Sequence, residues 1–163
     1  MDVESTPGQG TTVRLLLPIW TGETELKEAE TSSRRNRGYR ILVVDDDERV
    51  CRVLYYMLSE YYQVETVLDS QDALERMQRG QYQVALVDLG MPGMPGDQLV
   101  EKLRQIDPFL ATVLITGWKL EPDDSRRQAF DLALQKPFHS LTDVQDVITQ
   151  SIRIYESRMD ERE

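Results

Sequence analysis

The chain has 163 residues, roughly one domain's worth, and its 40% hydrophobic and 29% charged residues suffice for one sizeable core and exclude a disordered chain. Lys+Arg is 19 against 29 for Asp+Glu, a net charge of −10 that disfavours binding to nucleic acid phosphates or anionic lipid, although a local acidic site for a hard cation remains open. The single cysteine, Cys51, excludes an internal disulfide and a Cys-based zinc site; with no long apolar run and no basic-then-apolar start, the chain is expected to be soluble and cytoplasmic.

Residues 1–20 open with a turn, Thr6-Pro7-Gly8-Gln9-Gly10. Val13, Leu15 and Leu17 then alternate with Thr12, Arg14 and Leu16, which predicts a strand with one strongly apolar face. Asp2-Val3-Glu4-Ser5 is its candidate hairpin partner, and a lone hairpin of this kind is marginal in water. Residues 21–39 balance Glu23, Glu25, Glu28 and Glu30 against Lys27, Arg34, Arg35 and Arg37 and almost lack large apolar side chains, so they read as a solvated linker. The sharper alternative, a basic recognition patch at the three arginines, lacks interleaved aromatics. From Arg40 onward the pattern becomes regular and carries −9 of the charge.

Ile41-Leu42-Val43-Val44 is a short continuous apolar run of the kind buried on both faces of a parallel sheet. Val50, Val53, Leu54, Met57 and Leu58 follow at helical spacing. Val64–Leu68 predicts a second strand. Ser70 is then the expected cap of a helix through Ala73, Leu74 and Met77, stopped by Gly80. Val84-Ala85-Leu86-Val87 is a third strand, ending in Asp88. Leu99, Val100, Leu103 and Ile106 form a helical stripe stopped by Pro108. Thr112-Val113-Leu114-Ile115 predicts a fourth strand, ending in Thr116; a short helix is expected around Asp124–Phe130. Leu132–Gln135 is a fifth strand, ending at Lys136-Pro137. Ser140 with Asp143 resembles a capping box ahead of Leu141, Val144, Val147, Ile148, Ile152 and Tyr155. Five strands alternating with five helices predict an α/β fold: a flavodoxin-like, doubly wound five-stranded parallel sheet of order 2-1-3-4-5 with helices on both faces.

In such sheets ligands bind beyond the carboxyl ends of the strands. Here Asp45 and Asp46, Asp88, Thr116 and Lys136 sit at four of the five strand ends. Their spacings of 42, 28 and 20 residues match two, one and one strand-helix units of roughly 20–25 residues. Singly each is ordinary: an Asp after a strand is usually a turn or a cap, a Lys before Pro a loop residue, Thr-Gly a turn. Together they converge on one edge. Gathered carboxylates repel unless a cation sits among them, and oxygen ligands of high charge suit Mg²⁺. A carboxylate can itself attack phosphorus to form an aspartyl phosphate, with a metal and a lysine neutralising the phosphoryl oxygens.

The chain resembles the receiver domain of two-component response regulators. The resemblance rests on Ile41-Leu42-Val43-Val44-Asp45-Asp46-Asp47, Val87-Asp88-Leu89-Gly90-Met91-Pro92-Gly93-Met94-Pro95-Gly96, Leu114-Ile115-Thr116-Gly117 and Lys136-Pro137-Phe138, and it spans residues 40–157. It implies phosphorylation of Asp88 by a sensor kinase's phosphohistidine. It further implies Mg²⁺ on Asp46, Asp88 and the Gly90 carbonyl, with Asp45 acting through water. Lys136 and Thr116 would contact the phosphoryl group, and the Lys136-Pro137 bond would be cis. Asp47 matches no ligand position and reads as a helix N-terminal residue; His139 reads as a solvated loop residue. Ser5-Thr6-Pro7-Gly8-Gln9-Gly10-Thr11-Thr12 and Leu15-Leu16-Leu17-Pro18 resemble the last hairpin of a histidine-kinase ATP-binding domain. The bland alternative for that stretch is an unrelated extension.

The expected organisation is therefore a hairpin over 1–20, a linker over 21–39, a receiver over 40–157 and a charged tail over 158–163, as at the C-terminal end of a hybrid histidine kinase. The phosphorylatable histidine and ATP-binding motifs of such a kinase are missing, so no ATP-dependent activity is expected of this chain. Only turnover of its own aspartyl phosphate is. Output would pass to a protein, either the kinase or a histidine phosphotransfer partner. Three residues depart from the family pattern. Ala133 stands where many receivers carry an aromatic switch residue, Gly90 stands where a polar side chain is common, and Trp118 lies two residues after Thr116. Gly90 and Trp118 are expected to alter water access to an acyl phosphate. The competing readings are an aspartyl-phosphate phosphohydrolase, which needs an acid at the Gly90 position, and an interaction module that is never phosphorylated. FMN binding is disfavoured by the acidic pocket.

Overall fold

The structure, a computed structural model, describes residues 2–6, 10–14, 38–121 and 123–161. The chain divides into two units, residues 1–32 and 33–163. In the first, β1 (Asp2–Thr6) pairs antiparallel with β2 (Gly10–Arg14), Asp2 opposite Arg14 and Thr6 opposite Gly10. The expected apolar continuation through Leu15 and Leu17, the linker up to residue 37 and the last two tail residues lie outside the described residues.

In the second unit strands and helices alternate: β3 (Arg40–Val44), α1 (Glu48–Leu58), β4 (Gln63–Val67), α2 (Ser70–Arg79), β5 (Val84–Asp88) and α3 (Gly96–Ile106). Then come β6 (Ala111–Thr116), α4 (Ser125–Gln128), β7 (Leu132–Gln135) and α5 (Leu141–Asp160). The sheet is parallel, with order β4-β3-β5-β6-β7. This is the doubly wound arrangement the alternation predicts.

The alternation of side chains along a strand explains why the central runs are apolar throughout. Ile41 and Val43 point into one core with Cys51, Leu54 and Leu58 of α1 and Val144, Ile148 and Ile152 of α5. Leu42 and Val44 point into the other, with Ala73 and Met77 of α2 and Leu99, Val100 and Leu103 of α3. Every residue of β5 and β6 is buried.

Several local expectations shift. The buried line of α1 is Cys51, Leu54 and Leu58, while Val53 is 43% exposed, because the helix face is centred one position off the apolar stripe. Ile106 and Leu141 are likewise exposed at helix ends. The helix expected over 124–130 is only the four residues Ser-Arg-Arg-Gln, which have no apolar face to bury. Asp69, not Ser70, caps α2, its carboxylate accepting from the Asp72 N–H; the Ser70 hydroxyl instead donates to the Met94 carbonyl at 2.9 Å. Asp47 and Ser140 cap α1 and α5.

At the amino edge of the sheet a carboxylate ties four elements together. Asp131 accepts from both Arg158 (2.5 Å) and Arg104 (2.9 Å) and from the Thr112 N–H (2.8 Å). The guanidiniums also donate to the carbonyls of Leu110 and Ala129. Burial pushes the Asp131 carboxyl up, but the bonds from Arg158 and Thr112 and the charge of Arg104 outweigh it and hold it below its ordinary 3.8. Stability from this group is therefore present above that value and lost as pH falls through the lowered one. Asp131→Asn is expected to cost about 2 kcal/mol at neutral pH, read as a denaturation midpoint, and the deficit should shrink in acid. An unchanged midpoint at neutral pH would refute the assignment.

Candidate functional site

The carboxyl edge of the sheet gathers the polar residues. Asp45 directly follows β3, Asp88 ends β5, Thr116 ends β6 and Lys136 follows β7. The Lys136 Nζ donates to Asp45 Oδ2 at 2.6 Å and to Asp88 Oδ1 at 2.7 Å. The other oxygen of Asp88 accepts the Gly90 N–H at 2.6 Å, and the other oxygen of Asp45 accepts the Asp47 N–H at 2.9 Å. The Lys136 N–H donates to the Thr116 carbonyl at 2.8 Å, and the Lys136-Pro137 bond is cis.

The side chain of Asp45 is 1% exposed, that of Asp88 13% and that of Lys136 22%. Burial pushes the Asp45 carboxyl up, against the bond from Lys136. Burial pulls the Lys136 ammonium down, but its two carboxylates together outweigh that and leave it more basic than an ordinary lysine. Lys136 is therefore charged at neutral pH, a fixed point charge between two acids. The Cys51 thiol lies beneath, donating to the Asp45 carbonyl. Burial, then the Asp45 charge, push it up to about 11, so it packs as a neutral thiol.

The loop after β5 owes its shape to glycine. A Cβ on Gly96 would stand 2.1 Å from the Asp88 carbonyl oxygen, so only glycine lets α3 start against the end of β5. Gly93 turns the loop with φ of 80°. At the end of β6, the Thr116 Oγ1 accepts the Trp118 N–H at 3.0 Å and faces the Trp118 carbonyl at 3.4 Å. Trp118 is 62% exposed, and the tip of its ring lies near Gly90: a Cβ built there would be 4.0 Å from Trp118 Cη2 and 3.5 Å from Asp88 Oδ2.

Asp45, Asp88 and Lys136 are thus in contact, and Thr116 ends the strand beside Asp88's. Asp46 is exposed and stands outside that contact. Among the described residues no three His, Cys, Asp or Glu side chains form a metal-binding cluster. The donor set nonetheless fits Mg²⁺, which keeps several waters and is held through one or two carboxylates rather than a protein cage. Three acids against one lysine leave two negative charges for a divalent cation to cancel. Ala133 is exposed in β7 opposite Leu114 of β6 and offers only a methyl group.

Sequence reasoning missed an apolar groove beside Lys136, lined by Val50, Val53, Pro137 and Phe138 and rimmed by Arg49. The signal was the surplus apolar residue on α1: Val53 widened the helix stripe beyond what one core face needs. Among the described residues no helix is long and apolar enough to cross a membrane.

Comparison with known proteins agrees with this fold. The family model described as the response regulator receiver domain matches residues 41–148. The sensor histidine kinase RcsC of Salmonella typhimurium is 30% identical over 137 residues, covering 82% of this chain and 14% of the kinase. The response regulator receiver protein CpdR of Brucella abortus is 37% identical over 105 residues, covering 61% of this chain and 86% of CpdR. Among solved structures, the response regulator TrrA of Thermotoga maritima, in complex with Mg²⁺ and beryllofluoride, superposes with a TM-score of 0.64 at 25% identity. That match covers 69% of this chain and 98% of TrrA. The chain thus spans a small part of the kinase and most of the single-domain regulators.

Proposed function

The chain belongs to the response regulator receiver family of two-component signalling, and from that premise we propose that Asp88 is its phosphoacceptor. The observation that carries this reading is the Lys136 ammonium, held between Asp45 and Asp88 at the sheet edge where Thr116 also ends its strand. An Asp88 carboxylate oxygen attacks phosphorus. The P–N bond of a phosphohistidine breaks as the P–O bond forms, and the imidazole nitrogen leaves with the electron pair. Lys136 and the Thr116 hydroxyl meet the charge on the phosphoryl oxygens, and the Gly90 N–H orients the carboxylate. Asp46, Asp88 and the Gly90 carbonyl, with Asp45 beside them, would hold Mg²⁺, which would supply further charge neutralisation; the Mg²⁺ and beryllofluoride complex of TrrA supports this choice of metal.

Turnover as a phosphohydrolase is not favoured, because the position two residues after Asp88 is Gly90 and brings no second acid. Trp118 near Gly90 narrows the approach of water to Asp88, which favours a lasting acyl phosphate. Incubation of the chain with acetyl phosphate and Mg²⁺ should add one phosphoryl group by intact mass, and a chelator should prevent it. No gain from acetyl phosphate or from a phosphohistidine protein would overturn the reading.

The phosphodonor's docking site is read as the groove of Val50, Val53, Pro137 and Phe138, which opens beside Lys136. Val53→Glu, at an exposed site, should slow transfer from a phosphohistidine protein at least tenfold, about 1.4 kcal/mol of binding. Acetyl phosphate, which docks on nothing, should still load the variant. Equal transfer rates would remove the groove from the reaction.

An origin at the C-terminal end of a hybrid kinase is supported from two sides. Residues 40–163 are too few to supply 82% of the chain, so the match to RcsC reaches residues before Arg40. The β1–β2 pair also stands where the kinase-like hairpin is expected. On that reading the partners are a histidine kinase and a phosphotransfer protein, both in the cytoplasm.

A further inference from the structure

We propose that Ser70 is a positioning residue for phosphoryl transfer: its hydroxyl holds the loop after β5 so that the Gly90 carbonyl stays available to a divalent cation beside Asp88. The inference rests on the acceptor role of Asp88 and adds to it a residue from another strand-helix unit.

Ser70 opens α2 and is 5% exposed. A serine at a helix start ordinarily caps the helix. Here Asp69 already does so, its carboxylate accepting the Asp72 N–H at 2.8 Å. The Ser70 hydroxyl is thereby released from its own helix. It donates to the Met94 carbonyl at 2.9 Å, 24 residues further along the chain. Met94 stands two residues before α3, in the loop that carries Gly90. The bond thus reaches from the start of one helix into the loop that leads to the next.

That loop has few fixed points of its own. Gly90 and Gly93 bring no side chain, and Pro92 and Pro95 bring no N–H. The Gly96 N–H closes its base on the Leu89 carbonyl at 3.2 Å, and the Met94 N–H closes a tight turn on the Pro92 carbonyl at 3.0 Å. These bonds set the internal shape of the loop and leave it free to swing about its base. Met91 and Met94 rest on the core that α2 and α3 share, but apolar contact is non-directional and permits sliding. The Ser70 bond is directional and fixes the Met94 peptide. At the other side of the loop the Gly90 N–H is fixed on Asp88 Oδ2 at 2.6 Å. With both sides held, the Gly90 carbonyl keeps one direction. Without the hydroxyl, the Met94 carbonyl must find water, and the loop turns outward to reach it.

An NMR titration of the unphosphorylated chain with Mg²⁺, followed at the Gly90 amide, reads the cation directly. Phosphoryl uptake from acetyl phosphate over the same Mg²⁺ range reads the reaction. In Ser70→Ala, half-saturating Mg²⁺ should rise about fivefold in both, while uptake at saturating Mg²⁺ should stay within about twofold of wild type, because the loop and not the attacking carboxylate is displaced. Asp69→Ala removes the cap of α2 and leaves the Ser70 hydroxyl in place. It should lower the thermal midpoint and leave half-saturating Mg²⁺ unchanged. Unchanged half-saturation in Ser70→Ala overturns the proposal. So does an equal rise in Asp69→Ala, which would assign the effect to the stability of α2. A Gly90 amide that does not move in wild type, together with no phosphoryl uptake, fails the acceptor reading itself, and the role of Ser70 falls with it.

Discussion

Asp88→Asn should take up no phosphoryl group from acetyl phosphate or from a phosphohistidine protein, while remaining folded. Asp88 is the carboxylate at the end of a fully buried strand, with one oxygen on Lys136 at 2.7 Å and the other on the Gly90 N–H at 2.6 Å. An amide retains one acceptor for these donors and has no anionic oxygen with which to attack phosphorus. The neighbouring acids do not substitute: Asp45 is buried beneath Lys136, and Asp46 stands outside the contact. The substitution also removes one of the two acids on the Lys136 ammonium and leaves Asp45 paired with it, so stability should stay within about 1 kcal/mol of wild type. Intact mass reads the uptake and a thermal midpoint reads the fold. A phosphoryl group on the variant, mapped to Asp45 or Asp46, would displace Asp88 as the acceptor.

Lys136→Met should cost about 3 kcal/mol at neutral pH, because it leaves Asp45 and Asp88 buried without their shared cation. The cost has a pH signature. The Asp45 carboxyl is already pushed up by burial, and loss of the ammonium pushes it further in the same direction. A folded-state value raised above the unfolded one costs stability above the unfolded value, and the cost disappears as the carboxyl is protonated. The variant should therefore approach wild type as pH falls toward the ordinary carboxyl range. Mg²⁺ should do the same at neutral pH by supplying the missing charge, and it should bind the variant more tightly than wild type, where Lys136 competes for the carboxylates. Phosphoryl uptake should fall about 10²–10³-fold with loss of the positive charge aimed at the transferring group. A deficit indifferent to both Mg²⁺ and pH would mean that Lys136 stabilises by packing alone.

Much of this molecule is legible in its sequence. The strands announced themselves because a sheet covered on both faces needs an unbroken apolar run, and Ile41–Val44 and Val84–Val87 are such runs. The site was legible for a related reason. Parallel strands must all point the same way, so residues at equivalent strand ends are forced onto one edge however far apart they lie in the chain. Asp45, Asp88, Thr116 and Lys136 could be assembled by counting strand-helix units.

Tertiary structure decided what the period does not specify. Helical spacing located the stripe on α1 but not its centre, so Val53 turned outward and formed a groove with Phe138 instead of core. The union of Arg104, Asp131 and Arg158 joins residues from different elements with no shared period, and three-dimensional packing alone creates it. The same holds for the ring of Trp118 near Gly90: its position depends on how the turn after β6 approaches the loop after β5, a relation between two loops rather than within either. Periodicity and strand direction are local properties of the chain, and they fixed the fold and the acids, hydroxyl and lysine of its edge. Side-chain direction and loop-to-loop contact are set by packing, and they decided which of those groups touch and what stands near them.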